Sequence, residues 1–230
     1  MKPRNVFPAV RFQMRIPMLS LVYATLSFTS IALSSCSSIT DPATQTPGTE
    51  MDVRNYYLPL QNKGPEYNYS VTSNSQYVPA TGALTMEMQG PIDTVNNNIM
   101  YGCLWSYPNF GQPSMWFYRL SSAQAINCGV ESSPENYSDS WVDLQAPLED
   151  TAHWTFTSQG EQITAKVTKY GATAQVNGKT YDNVLMVQYT GTGANGTTGV
   201  QWFSKGVGLI FSNITRPNEG TTNYQIQNWN

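Results

Sequence analysis

The side chains able to do chemistry in this sequence are few and poorly matched to one another. A single histidine, His153, stands in the run TAHWTFTS, just after the adjacent acids Glu149 and Asp150. A zinc centre needs three or four nitrogen, sulfur or carboxylate ligands at set spacing, and His153 has no such company. A serine nucleophile would be announced by G-x-S-x-G, which is absent. The glycine-rich stretch GTGANGTTG (191–199) has no lysine and no following helix, so it reads as a loop and not a phosphate cradle. Two carboxylates across a cleft suffice for glycoside hydrolysis. Glu87, Asp93, Glu135, Asp139, Asp143, Glu149, Asp150 and Glu161 are available, yet nothing in their spacing brings two together. The expectation is a protein that is not an enzyme, with no metal and no cofactor, and His153 as a strand residue at a surface or sheet edge.

Cysteine is more informative. Residues 18–33, MLSLVYATLSFTSIAL, carry no charge and follow Arg11 and Arg15, the layout of a secretory signal. The run is shorter than the roughly 20 apolar residues of a spanning helix. It ends in Leu33-Ser34-Ser35-Cys36, which resembles the bacterial lipobox. That resemblance implies cleavage before Cys36 and a diacylglycerol on its thiol, and two acyl chains are enough for stable anchoring. The predicted organisation is a signal peptide over 1–35, a polar Ser/Thr/Pro-rich linker over 36–53 and one domain over 54–230. Ser37 and Ser38 are not acidic, so the expected address is the bacterial cell envelope, at the outer membrane, with the membrane as partner through the lipid on Cys36. Cys103 and Cys128 remain. In an oxidising compartment they form a candidate disulfide, while a simple meander would hold them about 10 Å apart, beyond the usual reach of about 7 Å. A disulfide or two buried thiols are both left open.

The densest feature is YGCLWSYPNFGQPSMWFY (101–118), with seven aromatics. Trp105, Phe110 and Trp116 are candidate ligand contacts, since exposed aromatic faces at a loop rim stack on sugar rings or contact a partner. Alternation supports core packing as the competing reading, because Tyr101, Cys103 and Trp105 share one face.

The elements that must position these residues are strands. Charged residues are 12% of the chain and aromatics also 12%, with 14 Tyr and 6 Trp, a composition that packs a core and favours pleated surfaces. Short alternating runs are predicted as strands over 66–73, 83–89, 98–106, 114–120, 124–130, 152–158, 161–169, 172–177, 180–190, 199–204, 207–214 and 221–229. Asn177-Gly178 between two of them is the type I′ hairpin signal, because both positions need positive φ. Any helix is expected to be short, around 121–127 or 143–150. The fold class is all-β with minor α: a curved antiparallel sheet, half-barrel or sandwich. Beyond residue 35 only 8 cations face 15 acids, a net of −7, so no nucleic acid partner is expected.

Two late stretches carry a family likeness. Val176-Asn177-Gly178-Lys179-Thr180-Tyr181-Asp182-Asn183-Val184-Leu185-Met186-Val187 leads to Gln201-Trp202-Phe203-Ser204-Lys205-Gly206-Val207-Gly208-Leu209-Ile210. Together with Tyr56-Tyr57-Leu58-Pro59-Leu60 they resemble the TapB-like group of small bacterial envelope lipoproteins, which are similar in topology to the LolA and LolB carriers. The resemblance implies a half-barrel whose concave face shelters an apolar ligand, and it implies no catalytic residues. The expected function is therefore a membrane-anchored, non-enzymatic binding or assembly module with a lipid, glycan or envelope protein as partner. The alternative is a cell-surface carbohydrate-binding module using exposed aromatics.

Overall fold

The structure, a computed structural model, describes residues 39–40, 49–57, 61–95, 98–108, 110–130, 140–193 and 196–230. The expected signal segment and Cys36 lie outside the described residues.

The described residues are built almost entirely into strands. β1 (Ile39–Thr40) precedes a 3₁₀ turn over Val53–Tyr56. Six strands follow: β2 (Lys63–Ser73), β3 (Thr81–Val95), β4 (Asn98–Ser106), β5 (Ser114–Leu120), β6 (Gln124–Gly129) and β7 (Trp141–Gln145). The second half holds β8 (His153–Ser158), β9 (Glu161–Val176), β10 (Lys179–Gly191), β11 (Thr198–Ser204), β12 (Gly208–Arg216) and β13 (Gly220–Trp229). From β2 to β7 and from β8 to β13, each strand pairs antiparallel with the next. β13 then pairs with β2, from Thr222 opposite Ser73 to Trp229 opposite Tyr67. The result is one sheet curled into a nearly closed barrel, all-β as expected but wrapped further round than a half-barrel.

The ring is broken at a single seam. Among the described residues no ladder joins β7 to β8; side chains close the gap instead. The indole N–H of Trp154 donates to the Val142 carbonyl at 3.2 Å, and the rings of Trp141 and Phe156 meet edge to face at 5.2 Å. Alternation sets the two faces of the wall. Along β9, Ile163, Ala165 and Val167 point inward and are buried, while Gln162, Thr164, Lys166 and Thr168 are exposed. An apolar inside and a polar outside is the pattern of a barrel standing in water, the reverse of a bilayer-spanning one.

One end is plugged. The carboxylate of Asp52 caps the 3₁₀ turn by accepting the Arg54 N–H at 3.0 Å. The turn buries Val53 and Tyr56 under the strand turns at that end. Val53 N–H donates to Ser122 O at 2.9 Å, and Gly206 N–H donates to Asn55 O at 2.8 Å. Thus part of the expected linker docks on the barrel: Ile39 and Thr40 pair with β9, and Glu50 forms an antiparallel bridge with Leu148.

Turn chemistry follows the sequence. Asn177 and Gly178 have φ of 50° and 74°, both positive as a type I′ turn requires. The candidate helices do not form. Residues 121–123 are a turn feeding β6, and 141–145 are strand β7, whose inward Trp141 and Asp143 alternate with the half-buried Val142. The runs 161–169 and 172–177 merge into the one long strand β9, whose register against β10 shifts three times between Val167 and Ala174.

Candidate functional site

The barrel is too wide for its side chains to fill. A cavity of about 630 Å³ runs from the plug, at Tyr57, to the opposite end, where Tyr77, Phe110 and Val130 stand at the rim. Those three are the lining's exposed large apolar residues, Tyr77 at 63% and Phe110 at 39%, so that end is the mouth.

One wall, built by β2 to β5 and β13, is aromatic and thioether: Tyr67, Tyr69, Met86, Met88, Trp105 and Trp116. Trp105 and Trp116 stack with centroids 4.3 Å apart, and Tyr224 meets the edge of Trp105 at 6.1 Å. Three of the wall's hydroxyls are bonded within the protein, while the Trp105 indole N–H is buried without a hydrogen-bond partner. Tyr69 donates to Leu209 O at 2.8 Å, and Tyr107 and Tyr224 share a hydrogen bond of 2.9 Å. Ring faces and thioethers, with the Trp105 indole N–H among them, dominate what the wall offers a ligand.

The facing wall is polar. Asp143 on β7 is buried and lines the cavity with Asn127, Gln201, Ser212 and Arg216. Burial pushes its carboxyl up to about 7, against the hydrogen bond from Tyr57 and the charge of Arg216, which pull it down. Tyr189 donates to the Asp143 carbonyl at 2.8 Å and fixes that stretch of β7. The Oε1 atom of Gln201 is buried with no protein partner. Arg216 lies over the Trp141 ring at 5.0 Å and pairs with Glu219 at 3.5 Å, near the mouth. The cavity is therefore amphipathic across its width, with an acceptor-rich side opposite an apolar one.

The structure brings Trp105, Phe110 and Trp116 together on this cavity, but not as an exposed row. Trp105 is only 8% exposed and one of its faces is covered by Trp116. The candidate disulfide is not formed. Cys103 lines the cavity; Cys128 follows the cavity-lining Asn127, so its side chain points to the other face and packs with Met100 and Ile126. The sheet thus stands between the two sulfurs, and burial raises both thiols, Cys103 to about 12 and Cys128 to about 11. His153 is an exposed residue at the start of β8. Glu149 and Asp150 are used structurally, accepting from the Thr49 hydroxyl and the Tyr170 N–H, both at 2.8 Å. Glu161 accepts from the N–H and hydroxyl of Thr197 at 2.8 and 2.6 Å, which ties the 192–197 loop to β9. Among the described residues no three metal-ligating side chains gather.

Two elements of the site are not singled out by the sequence. Asp143 is one carboxylate among eight candidates, and the signal that would have placed it is its alternation with Trp141 on a short strand. The plug has no periodicity, and only the Asp52 cap marks it.

No protein-family model and no curated protein matches this chain. Among solved structures, the chain is similar to a candidate lipoprotein of Parabacteroides distasonis, at 9% identity over 74% of this chain and 96% of that one, with a TM-score of 0.38.

Proposed function

We propose that this chain is a non-enzymatic binding module of the bacterial envelope, anchored by a lipid on Cys36, that shelters one amphiphilic ligand inside its barrel. The observation that carries the reading is the aromatic-walled cavity of about 630 Å³, plugged at one end and open at the other. Its size lies within the range of small-ligand sites, about 300–1,000 Å³, and its lining has the expected makeup of apolar surface with a few placed polar groups. The apolar body of the ligand lies against Trp105, Trp116 and the methionines, and a hydrogen-bonding group faces Asp143 and Gln201. A glycan platform needs rings side by side at the surface, and the burial of Trp105 favours an enclosed ligand instead.

Native mass spectrometry of the protein purified from a bacterial envelope tests this. An added mass in the lipid range, lost on denaturation and reduced by Trp105→Ala, is the expected result. A bare mass, together with no fluorescence gain from an apolar naphthylamine dye, would refute the enclosed-ligand reading.

A further inference from the structure

The way the chain joins the barrel bears on which end meets the membrane. β1 pairs antiparallel with β9, Ile39 opposite Ala174 and Thr40 opposite Thr173. β9 runs from the mouth toward the plugged end and on to the Asn177-Gly178 turn. β1 therefore runs toward the mouth, and its N-terminal residue, Ile39, is at the end of the strand nearer the plug. Three residue steps separate Ile39 from Cys36, a reach of at most about 10 Å. β9 needs the same number of steps to pass from Ala174 to the turn.

We propose that the tip of the β9–β10 hairpin, with the end of β13, is a foot that rests on lipid headgroups, so that the mouth opens away from the anchoring membrane. The inference rests on acylation of Cys36. The side chains of the foot suit that surface. Trp229 is 40% exposed, with the Lys179 ammonium 5.4 Å over its ring and Tyr181 against it at 5.9 Å. Lys179 also donates to Gln227 O at 3.0 Å, and Asn177 donates through its side chain to Ile226 O at 2.7 Å. Hairpin and β13 are thereby joined into one unit presenting an indole and an ammonium. Indoles sit at headgroup level, and lysine stems lie along apolar surface while their charge reaches phosphate. The mouth carries Glu161 and the Arg216–Glu219 pair beside the exposed rings of Tyr77 and Phe110, so the direction of β1, not side-chain character, is what distinguishes the two ends. β10 spans 13 residues. At about 3.3 Å per residue and a tilt of about 40°, that sets the mouth roughly 30 Å above the foot. Ligand is then exchanged on the aqueous side, not with the membrane that holds the anchor.

The test uses the full chain, purified with its anchor and reconstituted in phosphatidylglycerol/phosphatidylethanolamine vesicles carrying headgroup-brominated lipid. A fluorophore is attached at Thr180→Cys, beside the foot, or Thr192→Cys, at the mouth end; both positions are exposed. The unsubstituted protein, whose Cys103 and Cys128 are buried, gives the labelling background. Quenching several-fold stronger at 180 than at 192 is expected. Equal quenching, or stronger quenching at 192, overturns the orientation. Intact mass of the same preparation separates the two readings: acyl mass with equal quenching overturns this inference alone, and absence of acyl mass overturns the anchoring as well.

Discussion

Replacing Asp143 by asparagine should stabilise the protein at alkaline pH and leave it nearly unchanged in acid. The carboxyl has an ordinary value of 3.8 and is held at about 7 in the folded state. A folded value above the unfolded one means that the folded protein binds the proton more tightly, so stability falls as pH rises. The loss starts near pH 4, where the unfolded carboxyl ionises, and is complete once pH passes about 7. Three pK units at about 1.36 kcal/mol each give roughly 4 kcal/mol lost across that window. Glu50 and Asp52 act in the opposite sense, since ion pairing with Lys205 and Arg54 lowers both, and their contribution disappears only below about pH 4. Between pH 5 and 8 the slope belongs chiefly to Asp143. Asparagine keeps an acceptor for the Tyr57 hydroxyl and removes the titration. Urea unfolding at pH 5, 6, 7 and 8 reads the effect, with the wild-type midpoint falling and the Asp143→Asn midpoint flat. Parallel curves for the two proteins would show that the buried carboxyl does not set the slope and would refute the reasoning.

Other outcomes follow from the packing. Trp105→Ala removes the stack on Trp116 and enlarges the cavity, and should cost about 3 kcal/mol in chemical denaturation while abolishing binding of an apolar dye. Cys103 and Cys128 should resist a thiol reagent in the native protein and both react in denaturant, and reductant should leave the melting temperature unchanged. Trp154→Phe loses the hydrogen bond across the seam and should lower stability by about 1 kcal/mol, with faster amide exchange confined to β7 and β8.

Much of the wall is legible in the sequence, because alternation and turn residues are local signals. β4 and β5 fall on their predicted bounds, and Asn177-Gly178 makes the predicted turn. β7 is hidden by its length: five residues, WVDLQ, are too few to show a period, and the proline and acids after them imitate a helix start. The extent of curling is not a local property either. It is fixed by the pairing of β13 with β2, a contact between residues about 150 positions apart that no window of sequence contains. The site divides the same way. Trp105 and Trp116 are conspicuous by type, but their stacking depends on the register that sets Trp116 opposite Cys103. The fate of the two thiols likewise depends on which face each strand turns inward.

The pairing of β2 with β13 also governs the order in which the molecule can be made. The strand that completes the ring is the last of the described strands in chain order, so until Trp229 has been synthesised β2 has a bare edge and the cavity lacks a wall. Chains lacking β13 would stand as an open, aromatic-lined trough, with exposed ladder groups inviting mispairing between molecules. Loss of even the final ten residues would leave each finished copy in that state.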